Sequence, residues 1–331
     1  MKRLLTGLQP SGQLHIGNYF GALKPFVDTY GEYESFLMVA DYHSLTSLKD
    51  PLALRENIVE VVRGYLAAGV DPDKAVIFKQ SDVQEHTELA WIFECLVTVP
   101  FLELAHAYKD KVAKGLEANA GLFNYPMLMA ADILLYDTEV VPVGRDQGQH
   151  VEYAREAANK FNNAYGQTFK EPEAKIMESV AIVPGTDGQK MSKSYKNTIP
   201  LFASKDEVAK AVMGIVTDSR GSFIKKIMDG RITEINEDSL PSGPINLRAI
   251  HNLFRSEDKL EPLYEMNKRN YKALKEALIE DIEALVAPMR AKYEATTEAE
   301  VKEVLAKGAA KARAIASTKM ADVRKKVGVS F

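Results

Sequence analysis

Leu4-Leu5-Thr6-Gly7-Leu8-Gln9-Pro10-Ser11-Gly12-Gln13-Leu14-His15-Ile16-Gly17-Asn18 carries the stretch on which the fold turns. An apolar pair leads into a turn-rich loop from Thr6 to Gly17, and an apolar helix follows. Outward from it the same alternation recurs. Phe36-Leu37-Met38-Val39-Ala40 reads as a buried strand. Asp50-Pro51 then supplies an N-cap and a first-turn proline for a helix that stops at Gly69. Val76-Ile77-Phe78 is the next strand, followed by a helix around Trp91. Val140-Val141-Pro142-Val143 and Val180-Ala181-Ile182-Val183 read as two more. Strands separated by helices predict βαβ units and an α/β, doubly wound parallel sheet. Ligands of such sheets sit beyond the carboxyl ends of the strands.

The pattern changes after about Pro200. Ser204-Lys205-Asp206-Glu207 is a capping box that opens a helix. Tyr271, Leu274, Leu278, Ile282, Leu285 and Met289 step by threes and fours along one apolar face. A last helical stretch begins near Glu298, so an all-helical second domain is expected. The expected division is residues 1–189, a loop or hinge at 190–197, and 198–331. A chain of 331 residues, 46% hydrophobic and 27% charged, has the composition of a globular protein with room for two domains. The single cysteine, Cys95, excludes an internal disulfide framework and fits a reducing compartment. No apolar run reaches membrane-spanning length, and Met1-Lys2-Arg3 leads directly into folded-looking sequence. A formal charge of −4 gives no global sign of nucleic acid, so any such partner must meet a local basic face. Residues 302–326 offer one: Lys302, Lys307, Lys311, Arg313, Lys319, Arg324, Lys325 and Lys326 against Glu303 and Asp322. An ordinary solvated helix face reads the same way.

Three constellations carry the chemistry. In Gln9 to Asn18, glycines let a nucleotide approach the backbone, the helix start favours anionic phosphate, and His15 can donate to a phosphoryl oxygen. Lys190-Met191-Ser192-Lys193-Ser194 follows the glycine-rich Pro184-Gly185-Thr186-Asp187-Gly188, and its lysines and hydroxyls suit a clamp on a polyphosphate. Gly144-Arg145-Asp146-Gln147 follows a strand, and Asp146 can bind ribose hydroxyls. Each alone is as easily a turn or a solvated linker.

Together, in this order, they resemble the class I aminoacyl-tRNA synthetases, whose signatures are His-Ile-Gly-His and Lys-Met-Ser-Lys-Ser. Here the first reads His15-Ile16-Gly17-Asn18, and the second is intact at Lys190–Ser194. Within that class the chain is similar to the bacterial tryptophanyl enzymes over nearly its whole length. The likeness rests on Thr6-Gly7-Leu8-Gln9-Pro10-Ser11-Gly12, Ala130-Ala131-Asp132-Ile133-Leu134-Leu135-Tyr136, Val141-Pro142-Val143-Gly144-Arg145-Asp146-Gln147 and Gly308-Ala309-Ala310-Lys311-Ala312-Arg313. The resemblance implies a Rossmann-like catalytic domain at 1–189, a signature loop at 190–197, and a helical anticodon-binding domain with a C-terminal helix at 198–331. It implies His15, Asn18, Lys190 and Lys193 as catalytic residues. It implies ATP, brought with Mg²⁺, against Gln9, Pro10, Ser11, Gly17, Asn18, Lys111, Gly144, Arg145, Asp146, Val183 and Lys190 through Ser194. It also implies tRNA(Trp) as partner, a homodimer, no membrane association and a cytoplasmic location. Two departures stand out: Asn18 replaces the final histidine, and Arg145 stands where glutamate is common, which leaves it a backbone role. Some relatives bind an iron–sulfur cluster through cysteines of the helical domain, and this chain has none there.

The amino acid is read from one helix. Tyr125, Met129 and Asp132 are spaced by four and three and share a face in an apolar neighbourhood. A buried carboxylate needs a donor, and the N–H of an indole is one; that Asp132 faces solvent or pairs with a neighbouring basic group is the other reading. The resemblance places L-tryptophan against Leu5, Gly7, His43, Tyr125, Met129, Asp132, Ile133 and Gln147, with Tyr125 and Gln147 at its amino group. His43 reads equally well as a structural histidine. Three alternatives stay open. A tyrosine-activating relative would share the stripe, although glutamine is usual at the position of Met129. A small-molecule adenylyltransferase would not need the helical domain, and a silent RNA-binding paralogue would lose phosphate residues that are present here.

Overall fold

The computed structural model describes residues 1–143, 148–176, 183–217, 245–268 and 270–330. Among them, β1 (Arg3–Leu8), β2 (Glu34–Val39), β3 (Ala75–Lys79), β4 (Val140–Val143) and β5 (Glu173–Ile176) form one sheet in the order β3-β2-β1-β4-β5. Every pairing is parallel, with Arg3 opposite Glu34, Val39 opposite Lys79, Leu4 opposite Val140 and Val140 opposite Glu173. The chain steps outward from β1 in one direction and then returns to its other side, which is the doubly wound arrangement expected. The reversal falls between β1 and β4, and the crevice beyond their carboxyl ends is where such a sheet takes ligands. Phe36, Leu37, Met38 and Val39 are all buried, as a strand covered on both faces requires.

The sequence places a strand at Val180–Val183 and none at Glu173–Ile176; the structure has β5 at Glu173–Ile176. Residues 177–182 lie outside the described residues. Val183 is buried, and its carbonyl accepts from the Met191 N–H at 2.9 Å. β5 is four residues long, pairs only with β4 among the described strands, and interleaves Glu173 and Lys175 with apolar residues. Charges on a short edge strand discourage further pairing and dilute the apolar signal.

Between these strands run α1 (Ile16–Asn18), α2 (Lys24–Thr29), α3 (Asp41–Ser44), α4 (Pro51–Ala67), α5 (Glu85–Glu94), α6 (Val99–Leu102), α7 (His106–Ala113), α8 (Ala120–Leu134) and α9 (Gly148–Tyr165). Asp50 caps α4 as read, its Oδ1 accepting from the N–H groups of Leu52 and Ala53. Later come α10 (Lys205–Met213), α11 (Ile245–His251), α12 (Glu257–Met266), α13 (Tyr271–Ala295) and α14 (Glu298–Val327). The Ser204–Glu207 capping box opens α10, and Leu274, Leu278, Ile282, Val286 and Met289 form the buried face of α13. No helix among the described residues is long and apolar enough to cross a membrane.

The contacts cut across the linear division read from the sequence. One compact unit comprises Met1–Gly12, Phe26–Glu178 and Thr296–Phe331; the other comprises Gln13–Pro25 and Ser179–Ala295. In the second unit Phe20 meets Phe254 edge-on at 5.1 Å, and the Leu201 N–H donates to the Leu14 carbonyl at 2.9 Å. In the first, α14 lies against β3 and α5. Its buried stripe is Val301, Leu305, Gly308, Ala309, Ala312, Ala316, Met320 and Val323. Small residues allow that closeness. A Cβ added at Gly308 would fall on the Ile77 carbonyl, far inside van der Waals contact.

Several cations of α14 are paired, although Lys302, Lys307, Lys311, Arg313 and Lys325 remain exposed. Lys302 pairs with Glu298, Lys307 with Asp73, Lys319 with Asp137, Arg324 with Glu88 and Lys326 with Asp322, while Arg313 donates to the Asp82 carbonyl. Lys307, Arg313, Lys319, Arg324 and Lys326 thus help fasten the helix to the strands and helices beside it, a role that needs no RNA. Gly308→Ala is expected to destabilise the protein by about 1–3 kcal/mol through overpacking. A thermal melt at the wild-type midpoint would show that α14 does not sit this close.

Candidate active site

Polar chemistry gathers in each unit separately. In the first, α8 carries Asp132, which is 2% exposed. Asn119 caps that helix by accepting from the Leu122 N–H, and the Asp132 side chain turns into the core. It is met there by three donors. Gln80 Nε2 lies 2.8 Å from Oδ1, His86 Nδ1 2.6 Å from Oδ1, and His43 Nε2 2.8 Å from Oδ2. Burial alone would raise the Asp132 pKa; the hydrogen bonds from His43 and His86 help outweigh it, and the carboxyl is held below the usual carboxylate range. Pairing with neighbouring side chains, the other reading of Asp132, is present: His43, Gln80 and His86 all meet it.

Behind it, His86 Nε2 lies 2.8 Å from the Tyr136 hydroxyl. The Tyr136 ring stacks on Phe36 at 5.2 Å, and its pKa is pushed far up by burial and by the charges of Asp132 and Glu85. The phenol therefore keeps its proton and is able to donate a hydrogen bond to Nε2, the arrangement in which Nδ1–H serves Asp132. Gln80 also accepts from the Tyr42 N–H at 3.1 Å, and Asp41 accepts from the Ser81 N–H at 3.0 Å. Around the carboxylate, Leu5 and Ile133 are buried in the core, and Tyr125 and Met129 pack half-buried against it. The His43 ring faces Tyr125 edge-on at 6.5 Å. Gly7 is exposed at the open end of β1. Gln9 and Ser11 are exposed in the turn beyond, where Pro10 is buried and the Ser11 N–H donates to the Gln9 carbonyl. Lys111 lies in the last turn of α7.

In the second unit the two signatures meet. His15 is the N-cap of α1, and it is locked reciprocally to Asn18. The His15 N–H donates to Asn18 Oδ1 at 3.1 Å, and the Asn18 N–H donates to His15 Nδ1 at 3.3 Å. Nδ1 is thereby an acceptor, so the ring proton sits on Nε2. Burial, followed by the charge of Lys193, lowers the His15 pKa to about 4, so the ring is neutral near pH 7. A neutral imidazole with a fixed Nε2–H is a donor to a phosphoryl oxygen. Asn18 uses its oxygen here and keeps its amide N–H groups as donors. Gly17 is required because a Cβ there would sit 2.9 Å from His15 Nδ1 and 3.3 Å from the Met191 Cβ. Its N–H faces the Met191 sulfur at 3.3 Å.

The second signature is shaped by Asn197. Its Oδ1 accepts from the Ser192 N–H at 2.8 Å, and its Nδ2 donates to Asp187 Oδ1 and to the Lys190 carbonyl. Met191 is buried beneath, Lys190 is exposed, and Ser194 lies in the short 3₁₀ turn Lys193–Tyr195. Burial lowers the Lys193 pKa to about 8. Gly144, Arg145, Asp146 and Gln147 lie outside the described residues. Gln80, His86, Tyr136 and Asn197 were assigned no role from sequence. Only Tyr136 left a signal, four residues beyond Asp132 on the same helical face; His86 and Gln80 are 46 and 52 residues away in the chain.

Residues 1–320 match the family model described as class I tRNA synthetases (W and Y). The chain is 48% identical to a tryptophan--tRNA ligase of Fusobacterium nucleatum, covering 99% of this chain and 98% of that protein. It is 46% identical to one from Campylobacter jejuni, covering 99% and 100%. A crystal structure of tryptophanyl-tRNA synthetase from Campylobacter jejuni complexed with ADP and tryptophan superposes with a TM-score of 0.85 at 46% identity, covering 98% of this chain and 99% of that one.

Lys193 gives the site a pH dependence of definite sign. Its charged form, the one able to attract an anion, is lost as pH rises through about 8. Binding of inorganic tripolyphosphate, followed by calorimetry, is therefore expected to weaken through that range relative to Lys193→Arg, which stays charged. Parallel pH profiles for the two proteins would remove Lys193 from the anion site.

Proposed function

Since the chain belongs to the class I tRNA synthetases for tryptophan and tyrosine, we propose that its site makes it a tryptophan--tRNA ligase, activating L-tryptophan with ATP and passing it to tRNA(Trp). The observation that carries the chemistry is the meeting of His15 and Gly17 with Met191 and Lys193. In the first step a carboxylate oxygen of tryptophan attacks the α-phosphorus of ATP. The bond from that phosphorus to the bridging oxygen breaks, and pyrophosphate leaves with the electron pair. His15 donates its Nε2–H to a phosphoryl oxygen, and Lys190 and Lys193 follow the charge that moves onto pyrophosphate. Mg²⁺ enters as part of the nucleotide substrate and shares that charge. Gln9, Ser11, Gly17 and Asn18 hold the nucleotide, with Asp146 at its ribose. In the second step the terminal ribose 2′-hydroxyl of the tRNA attacks the carbonyl carbon of the adenylate, and AMP leaves. No protein nucleophile is needed; the chain positions and neutralises.

For the amino acid, Oδ2 of Asp132 takes one described donor while Oδ1 takes two. A carboxylate has about four acceptor positions, so one on Oδ2 suits an indole N–H, with Met129 as the apolar wall and Tyr125 and Gln147 at the amino group. The anticodon-binding role is assigned to the helices between Lys205 and Ala295, since α14 is fastened to the sheet domain. A homodimer is part of the same reading. Trp91 and Val99, 66% and 60% exposed on α5 and α6, are apolar surface for a second copy to cover. The reading also places the protein in the cytoplasm.

Amino-acid-dependent ATP–pyrophosphate exchange with all twenty amino acids is the direct test, with tryptophan expected to be the substrate. Activation of tyrosine alone would replace the tryptophan assignment and leave the chemistry in place. Benzothiophenyl-alanine, in which sulfur replaces the indole N–H, should be a poor substrate for the parent. Asp132→Ala should lose most of that discrimination, because sites built on a substrate hydrogen bond reject analogues lacking it by up to roughly 10⁴–10⁵. Equal use of both amino acids by the parent would show that Asp132 does not read the indole.

A further inference from the structure

We propose that His86, with its tautomer set by Tyr136, is a positioning residue for amino-acid selection: it holds Asp132 Oδ1 so that Oδ2 keeps an acceptor position for the substrate's ring N–H. The inference rests on the reading of Asp132 given above. His86 and Tyr136 are both 0% exposed, so neither meets substrate or water, and their effect must pass through Asp132. The geometry is directional. His86 Nδ1 sits 2.6 Å from Oδ1 and Nε2 sits 2.8 Å from the Tyr136 oxygen, so the imidazole bridges a buried acid and a buried phenol. Phe78 fixes the plane of the ring, stacking on it at 6.1 Å with 22° between planes.

Without Nδ1–H, Oδ1 would keep Gln80 alone and the carboxylate could rotate about its χ2 torsion, a soft, broad torsion. His43 or Gln80 could then occupy the position meant for substrate. Tyr136 guards against the same failure from behind. In a neutral ring, a proton on Nε2 would leave Nδ1 as a lone pair facing a carboxylate, and a hydrogen bond donated by the Tyr136 O–H to Nε2 disfavours that tautomer. Specificity thus depends on a buried relay one residue removed from the pocket.

The side-chain amides of asparagine and glutamine separate this role from packing. In His86→Asn the amide nitrogen falls near the place of Nδ1 and keeps a donor on Asp132. In His86→Gln it falls near the place of Nε2, toward Tyr136, and Asp132 loses its donor. The readout is the ratio of kcat/KM for tryptophan to that for benzothiophenyl-alanine in pyrophosphate exchange, with the KM for ATP measured beside it. His86→Gln is expected to lower the ratio about tenfold or more, the scale of a hydrogen bond to a charged group, through the KM for tryptophan and with the KM for ATP unchanged. His86→Asn should stay close to the parent. Tyr136→Phe, which keeps the ring, should lower the ratio by a smaller factor, and it supplies the reading if His86→Gln does not fold.

A folded His86→Gln enzyme with the parent's ratio overturns the proposal, as does an equal loss in His86→Asn and His86→Gln with a raised KM for ATP. If Asp132→Ala abolishes discrimination and His86→Gln preserves it, the role of His86 fails while the reading of Asp132 stands. If the parent uses both amino acids equally well, both fail.

Discussion

A carboxylate can sit in an apolar core only where donors converge on it, and Asp132 makes the carboxyl ends of the sheet converge. Its three donors come from two connections: His43 after β2, and Gln80 and then His86, in the turn and the first turn of α5, after β3. Strand register makes this possible. Val39 lies opposite Lys79, so the chains leaving β2 and β3 run side by side. They exchange Tyr42 N–H to Gln80 and Ser81 N–H to Asp41 before either reaches Asp132. A one-residue slip of β3 would turn its apolar residues to the wrong face and carry Gln80 away from the carboxylate.

The two constellations are tuned in opposite senses. Around Asp132 the donors help outweigh burial and keep the acid charged below the usual carboxylate range. At the signature loops burial prevails, and it lowers Lys193 to about 8 and His15 to about 4. The first is a fixed charge suited to reading a neutral donor without changing state. The second pairs a lysine that stays mostly charged below about pH 8 with a histidine that is neutral near pH 7. His15 contributes a directed N–H instead of a charge, because Asn18 occupies the other ring nitrogen.

Local signals in the sequence were legible where one element suffices to produce them. The Asp50 and Ser204 caps, the apolar runs of β1 to β4 and the stripe of α13 each depend on neighbours a few residues away, and the structure bears them out. Signature spacing located His15, Met191 and Lys193, which the structure brings together. Illegible were the partners set by tertiary proximity. His86 reads as an ordinary helix residue until the fold sets it against Asp132. β5 was hidden by the charges that suit an edge. The basic run of α14 gave the same pattern as an RNA footprint because sequence does not say which way a lysine points; the acids Asp73, Glu88 and Asp137 decide that.

That last helix completes the physical chain from the carboxyl terminus to the substrate reading. α14 lies along β3, a strand that would otherwise present an unpaired edge, and its small residues bring backbone against backbone there. Farther along, Ser317 donates to Glu85 at 2.6 Å, and Arg324 makes a two-pronged pair with Glu88. Glu85 and Glu88 are in the first turn of α5, on either side of His86. Isolated surface pairs contribute little to stability, about 0–1 kcal/mol, so their weight here is geometric. They set the position of one turn of helix, and that turn carries the imidazole between Tyr136 and Asp132. Some of the residues that looked most like an external binding face therefore steady the turn of α5 that carries His86.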